Sequence, residues 1–220
     1  FEYMAFPRLL AMSEVQWTQP EHKDFESFAR RLDKEFERLD YCGVNACRNF
    51  YEVNQIGAWN KSQQTYEVTL KTFCPDADIY YAVNDSTVNT SSSLYETPIP
   101  LDEDATIYSA VYRSGKPLGK VTRKSFAVNK ATGCDYTCNP EAGWEHLNKG
   151  FGLTDGRRGY ARDMRRWISF YQDTVQIVVE LKKPQKVKEV AFSSLWRPVN
   201  EIWPARAMSV SVSMDGPVSY

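Results

Sequence analysis

Four short segments in the middle of the chain set its fold class. TYEVTLKTF (65–73) places Tyr66, Val68 and Leu70 on one face and Glu67, Thr69 and Lys71 on the other. That alternation is the mark of a half-buried strand. IYYAV (79–83), TIYSAVY (106–112) and VTRKSFAV (121–128) follow at similar spacing, with no helical pattern between them. The last two are joined by a turn containing Ser114, Gly115, Lys116 and Pro117, and the stretch at 84–93 is a polar loop. Short strands in this succession predict a small antiparallel β-sandwich.

The flanks differ. Residues 3–12, YMAFPRLLAM, are an apolar run that predicts a buried strand or connection. Thr18, Pro20 and Glu21 then form a helix-start pattern, with Glu21 three residues after the capping Thr18. Phe25, Phe28, Ala29, Leu32, Phe36 and Leu39 recur at steps of three and four, which predicts an amphipathic helix over 19–40. One strand and one helix cannot build a core, so the apolar face of this helix must pack on the β-module or on another chain. Beyond the sandwich, 129–139 is expected to be a linker. A second β-region follows, with strands expected at 175–181, 186–192 and 207–216; the last sets Met208, Val210, Val212 and Met214 against Ser209, Ser211 and Ser213.

Composition narrows the function classes. The formal net charge is -1, so no basic field exists to hold nucleic acid or an anionic membrane. No apolar run approaches the ~20 residues needed to cross a bilayer. Aromatic residues make up 14% of the chain, which suits β-sheet packing and also sugar stacking; a plain β-core is the favoured explanation. Of the cysteines, Cys42, Cys47, Cys74, Cys134 and Cys138, the odd count leaves at least one unpaired within the chain. Cys134 and Cys138 could form a disulfide in an oxidising compartment or stand as separate thiols. No cofactor is expected, and neither His22 nor His146 stands at zinc-ligand spacing from this pair.

Three stretches, in order, resemble one architecture. FPRLLAMSEVQW (6–17) is similar to the last barrel strand of family 20 glycoside hydrolases, the β-N-acetylhexosaminidases, through Phe6, Pro7, Arg8, Ala11, Glu14 and Trp17. The helix after it resembles the final barrel helix. Residues 65–130 resemble the small immunoglobulin-like module that follows the barrel in bacterial chitobiases, through IYYAV, LYETPIPL, TIYSAVYRSGKPLG and SFAVNKATG. The family's loop after the second strand, Asp-Gly-Ser-x-Pro-Thr, is replaced by Asn84-Asp85-Ser86-Thr87-Val88-Asn89, which still permits a turn. Residues 150–216 resemble the first half of a discoidin-like jelly roll, through LTDGRRG, RWISF, VVELKKPQKVKEVAF and SVSMDG.

The resemblance implies a mainly β chain: a barrel remnant over 1–50 (strand plus amphipathic helix), an immunoglobulin-like sandwich over 60–130, and a truncated discoidin-like sandwich over 140–220. It implies a secreted, cell-surface or periplasmic bacterial parent that removes terminal N-acetylhexosamine from glycans or chitin oligomers. The partners would be that glycan and the parent's own barrel. Chemistry in that family is substrate-assisted and uses an adjacent Asp-Glu pair after His-x-Gly-Gly. No such motif occurs here, so no catalytic residue is expected in this chain. Asp102-Glu103, the one adjacent Asp-Glu pair, lies in a polar loop with no apolar pocket. Glu14 and Trp17 sit on matched positions, and a structural role is favoured for Glu14. Candidates for sugar contact are Arg165, Trp167 and Phe170, against a core role for both rings. Asp155, before Gly156, resembles a calcium-binding turn, against a plain turn. The rival to a structural brace is a carbohydrate-binding module that anchors the enzyme to its polymer.

Overall fold

A computed structural model describes residues 1–141, 143, 152–157, 159–161 and 167–214. Within them the chain is mainly β, with antiparallel sheets and few helices. The helices are α1 (Glu2–Ala5), α2 (Arg8–Trp17) and α3 (Phe25–Tyr41). The strands are β1 (Asn54–Asn60), β2 (Thr65–Lys71), β3 (Asp78–Val83), β4 (Ser93–Leu94), β5 (Ile99–Leu101), β6 (Ala105–Arg113), β7 (Lys116–Pro117), β8 (Thr122–Phe126), β9 (Asp135–Asn139) and β10 (Gln176–Glu180). The chain divides into two compact units. The first comprises Phe1–Ile56, Val68–Ile99 and Ala105–Phe126; the second comprises Gly57–Glu67, Pro100–Asp104 and Ala127–Tyr220.

β6 organises the first unit. β3 pairs along one side of it, from Asp78 opposite Tyr112 to Val83 opposite Ile107. β7 and β8 share the other side, with Tyr112 opposite Pro117 and Ala105 opposite Phe126. β4 extends the sheet beyond β3, and a second sheet has the order β1-β2-β5. Both faces of β6 are covered. Ile107, Ser109 and Val111 are fully buried on one face. On the other, Ala110 and Tyr112 cluster with Val88 of the 84–93 loop, and Tyr80, Ala82 and Tyr108 pack around them. Tyr112 donates its hydroxyl to the Val88 carbonyl at 2.9 Å, so this loop is a fitted lid for the sheet face. Asn84 takes φ 57°, a left-handed conformation that Asn tolerates, and accepts the Thr106 N–H on Oδ1 at 2.8 Å. The turn therefore forms without a glycine.

Ser109 is a fully buried polar residue in the heart of this core. Gln55, itself buried, answers it by donating from Nε2 to Ser109 Oγ at 2.8 Å. A buried hydroxyl without such a partner would cost about 1–3 kcal/mol.

The four central strands form where the sequence predicts them, and Tyr66, Val68 and Leu70 point inward as expected. Other expectations need correction. The strand expected at 6–17 is α2, preceded by α1. A strand needs a ladder of backbone partners, and among the described residues this segment's long-range backbone bond runs from the Cys47 N–H to the Phe6 carbonyl at 3.0 Å, ahead of α2. Arg8, Leu9, Leu10, Ala11, Met12, Glu14 and Gln16 are good helix formers, and a helix satisfies its own N–H and C=O groups. The long helix starts at Phe25, not at residue 19, because Asp24 rather than Thr18 caps it. Asp24 accepts the N–H groups of Glu26 (2.9 Å) and Ser27 (3.3 Å), while Pro20–His22 forms a separate 3-10 turn.

In the second unit, β9 lies inside the stretch expected to be a linker, paired antiparallel with β10 from Asp135–Glu180 to Asn139–Gln176. No strand forms at 186–192 or over 207–214, and residues 215–216 lie outside the described residues. Alternation fixes which side chains would share a face; it cannot supply the neighbouring strand that completes the hydrogen bonds. Val187, Val190, Phe192, Met208, Val210, Val212 and Met214 are accordingly exposed.

Candidate functional site: a clasp of helix on sheet

The most elaborate polar arrangement among the described residues joins α3 to the β-module within the first unit. Asp33 sits on α3 beside its buried stripe of Ala29, Leu32 and Phe36. Its Oδ1 accepts the Tyr51 hydroxyl at 2.7 Å, and its Oδ2 accepts Arg113 Nη1 at 2.7 Å. Arg113 ends β6. From there Nη2 donates to the Pro75 carbonyl at 2.9 Å and lies 3.0 Å from Cys74 Sγ. One carboxylate thus ties the helix to the segment before β1, the last residue of β6 and the loop after β2.

Burial sets the protonation behaviour of this group. Desolvation pushes the Tyr51 phenol well above its ordinary value, and the Asp33 carboxylate pushes it further. Desolvation also raises the Cys74 thiol to about 11, against the opposing pull of Arg113. For Arg113 burial favours the neutral form, but Asp33 and the groups around it outweigh that and raise it. The clasp is a neutral thiol and phenol around one charged pair, which suits a structural joint and offers no activated nucleophile.

Apolar contacts surround it. Phe36 is 2% exposed and tilts against Tyr51, with ring centroids 5.4 Å apart, and against Phe50 at 6.0 Å. The Arg48 guanidinium lies 4.3 Å from the centre of the Phe36 ring and pairs with Asp40. At the other end of α3, Phe25 meets Phe73 edge-on at 5.9 Å, and Arg30 bonds Asp76 at 3.0 Å. The apolar face of the helix packs on the β-module, one of the two partners its amphipathicity demanded.

Glu14 has a definite place in this layer. Its two oxygens accept Arg31 Nη1 (3.0 Å) and Nη2 (2.7 Å), a forked pair that joins α2 to α3. That hydrogen bonding holds the Glu14 carboxyl below its usual range. α1 is held by Glu2, which accepts the Asn45 N–H at 3.0 Å. Trp17 stands open to solvent at the end of α2.

The remaining sequence candidates do not share this site. Asp102 and Glu103 lie in an exposed bend, and neighbouring Asp104 accepts the Val128 N–H at 2.8 Å. Asp155 closes a turn in the second unit, where its oxygens accept the N–H groups of Gly152 (3.0 Å) and Arg157 (2.8 Å). Gly156, at φ 73° and pressed against the Tyr66 ring, completes that turn. Trp167 donates Nε1 to the Tyr160 carbonyl at 3.1 Å, and its ring lies so close to Gly159 that a Cβ there would fall 2.4 Å from it. Phe170 is half-buried. Arg165 lies outside the described residues. Cys134 and Cys138 are both thiols here, as are the other three cysteines. Among the described residues no helix is long and apolar enough to cross a membrane.

Sequence reasoning missed the clasp. Its members are scattered from residue 33 to residue 113 and carry no local spacing. The available signal was indirect: an arginine at the end of a mostly apolar strand needs a counter-charge once that strand is central.

Residues 68–126, from β2 through β8, match the family described as Fn3 associated. Over 45 residues the chain is 51% identical to a beta-hexosaminidase of Porphyromonas gingivalis (strain ATCC BAA-308 / W83). That alignment takes in 20% of this chain and 6% of the relative, so the chain spans only a small part of the relative's length.

Proposed function

We propose that the chain is an accessory, non-catalytic C-terminal region of a family 20 β-N-acetylhexosaminidase, and that it braces the catalytic barrel. The parent would act outside the cytoplasm, as a secreted, cell-surface or periplasmic enzyme, and release terminal N-acetylhexosamine from glycans or chitin oligomers. Residues 1–50 would be the end of the barrel, 60–130 the chitobiase-type module and 140–220 a discoidin-like sandwich. The similarity to a hexosaminidase and the Fn3-associated match support this reading.

One observation carries the brace. The helical layer is fastened on one side to the β-module by α3, while α2 turns Leu9, Met12 and Val15 outward at three-residue steps. These side chains are 45%, 56% and 59% exposed, and Met4 of α1 is exposed as well. An apolar face on a layer so firmly clasped behind is suited to a covering partner, and in the proposed parent that partner is the rest of the barrel.

The test is made in two proteins. Leu9→Ser, Met12→Ser and Val15→Ser together should lower the melting temperature and active yield of the whole enzyme. In the isolated chain the same changes should shift stability by only about 0.5 kcal/mol per site, as expected for exposed positions. A whole enzyme that tolerates all three without loss overturns the brace. The isolated chain should not turn over an aryl N-acetylglucosaminide; turnover abolished by Asp102→Asn or Glu103→Gln would place the chemistry here instead.

A further inference from the structure

We draw no further inference here: the strongest candidate, the exposed Trp196 and Trp203 that flank the Arg197–Ile202 bridge in the second unit, is an apolar patch among other exposed apolar side chains, and nothing in the structure shows what covers it.

Discussion

The two units have similar raw material and reach different degrees of internal closure. In the first, β6 is paired on both sides and covered on both faces, and its polar interior groups, Ser109 and Arg113, meet Gln55 and Asp33. In the second, β9 and β10 form a two-stranded sheet, and the alternating segments after β10 keep their apolar side chains in solvent. Alternation of apolar residues is equally clear in 65–73 and in 207–214. What separates them among the described residues is that β2 is paired with a strand on each side, while 207–214 forms no strand. Stability in the first unit should therefore be concentrated in named contacts, and in the second it should be nearly indifferent to its most hydrophobic positions.

The largest effect is expected at Phe36. It fills the junction of α3 with Phe50 and Tyr51, so Phe36→Ala should cost about 3–5 kcal/mol by loss of burial and creation of a cavity. Urea unfolding of the chain, followed by amide exchange in β6, would measure it. A cost below about 1 kcal/mol would show that α3 is only loosely seated and would remove the contrast between the units.

Asp33 comes next. The pair with Arg113 is mostly shielded, with side-chain exposures of 23% and 31%, so it falls between the weak surface class and the strong buried class. Asp33→Ala should cost about 2 kcal/mol, because it strands Arg113 and removes the acceptor of the Tyr51 hydroxyl. Glu14→Ala breaks a forked pair whose Arg31 side chain is mostly exposed and should cost under about 1 kcal/mol. A double-mutant cycle with Arg113→Met separates the coupling of the clasp from the cost of an orphaned charge. Equal costs at Asp33 and Glu14 would mean that the clasp is no more than a surface contact.

The same clasp has a pH signature of known sign. The folded-state pKa of Cys74 is raised from 9.0 to about 11, so between these values the folded chain holds a proton that the unfolded chain has lost. The resulting stability is fully present below about pH 9 and is lost as pH rises through about 11. Tyr51, raised above its ordinary 10.0, extends the loss further upward. The urea midpoint should fall between pH 8 and pH 10.5, and Cys74→Ala should flatten that fall. A midpoint independent of pH in this window would contradict the burial assigned to the thiol.

Legibility in the sequence followed the range of the interactions. Strands β2, β3, β6 and β8 were readable because strand-forming composition, and in β2 alternation, is a local signal. The buried stripe of α3 was readable for the same reason, although its start was not: Thr18 carries the capping pattern, and the cap that forms is Asp24. The segment at 6–17 was misread because an apolar run without clear period fits a buried strand or a helix equally well. β1 escaped because NQIGAWN has a single apolar β-former on each side of its glycine. The Asp33–Tyr51–Arg113 clasp depends on chain ends brought together by the sheet, which no spacing rule encodes.

The smallest expected effect tests the second unit directly. Val212 is 77% exposed in a segment whose sequence alternates as cleanly as β2. Val212→Ser should leave stability within about 0.5 kcal/mol, since no burial is lost. Val68→Ser, at the matching phase of β2 where the side chain is fully buried, should cost several times more, because it removes a packed side chain and buries a hydroxyl. If Val212→Ser proved as costly as Val68→Ser, the 207–214 segment would have to be packed in solution. The two units would then no longer differ in the burial of their alternating segments.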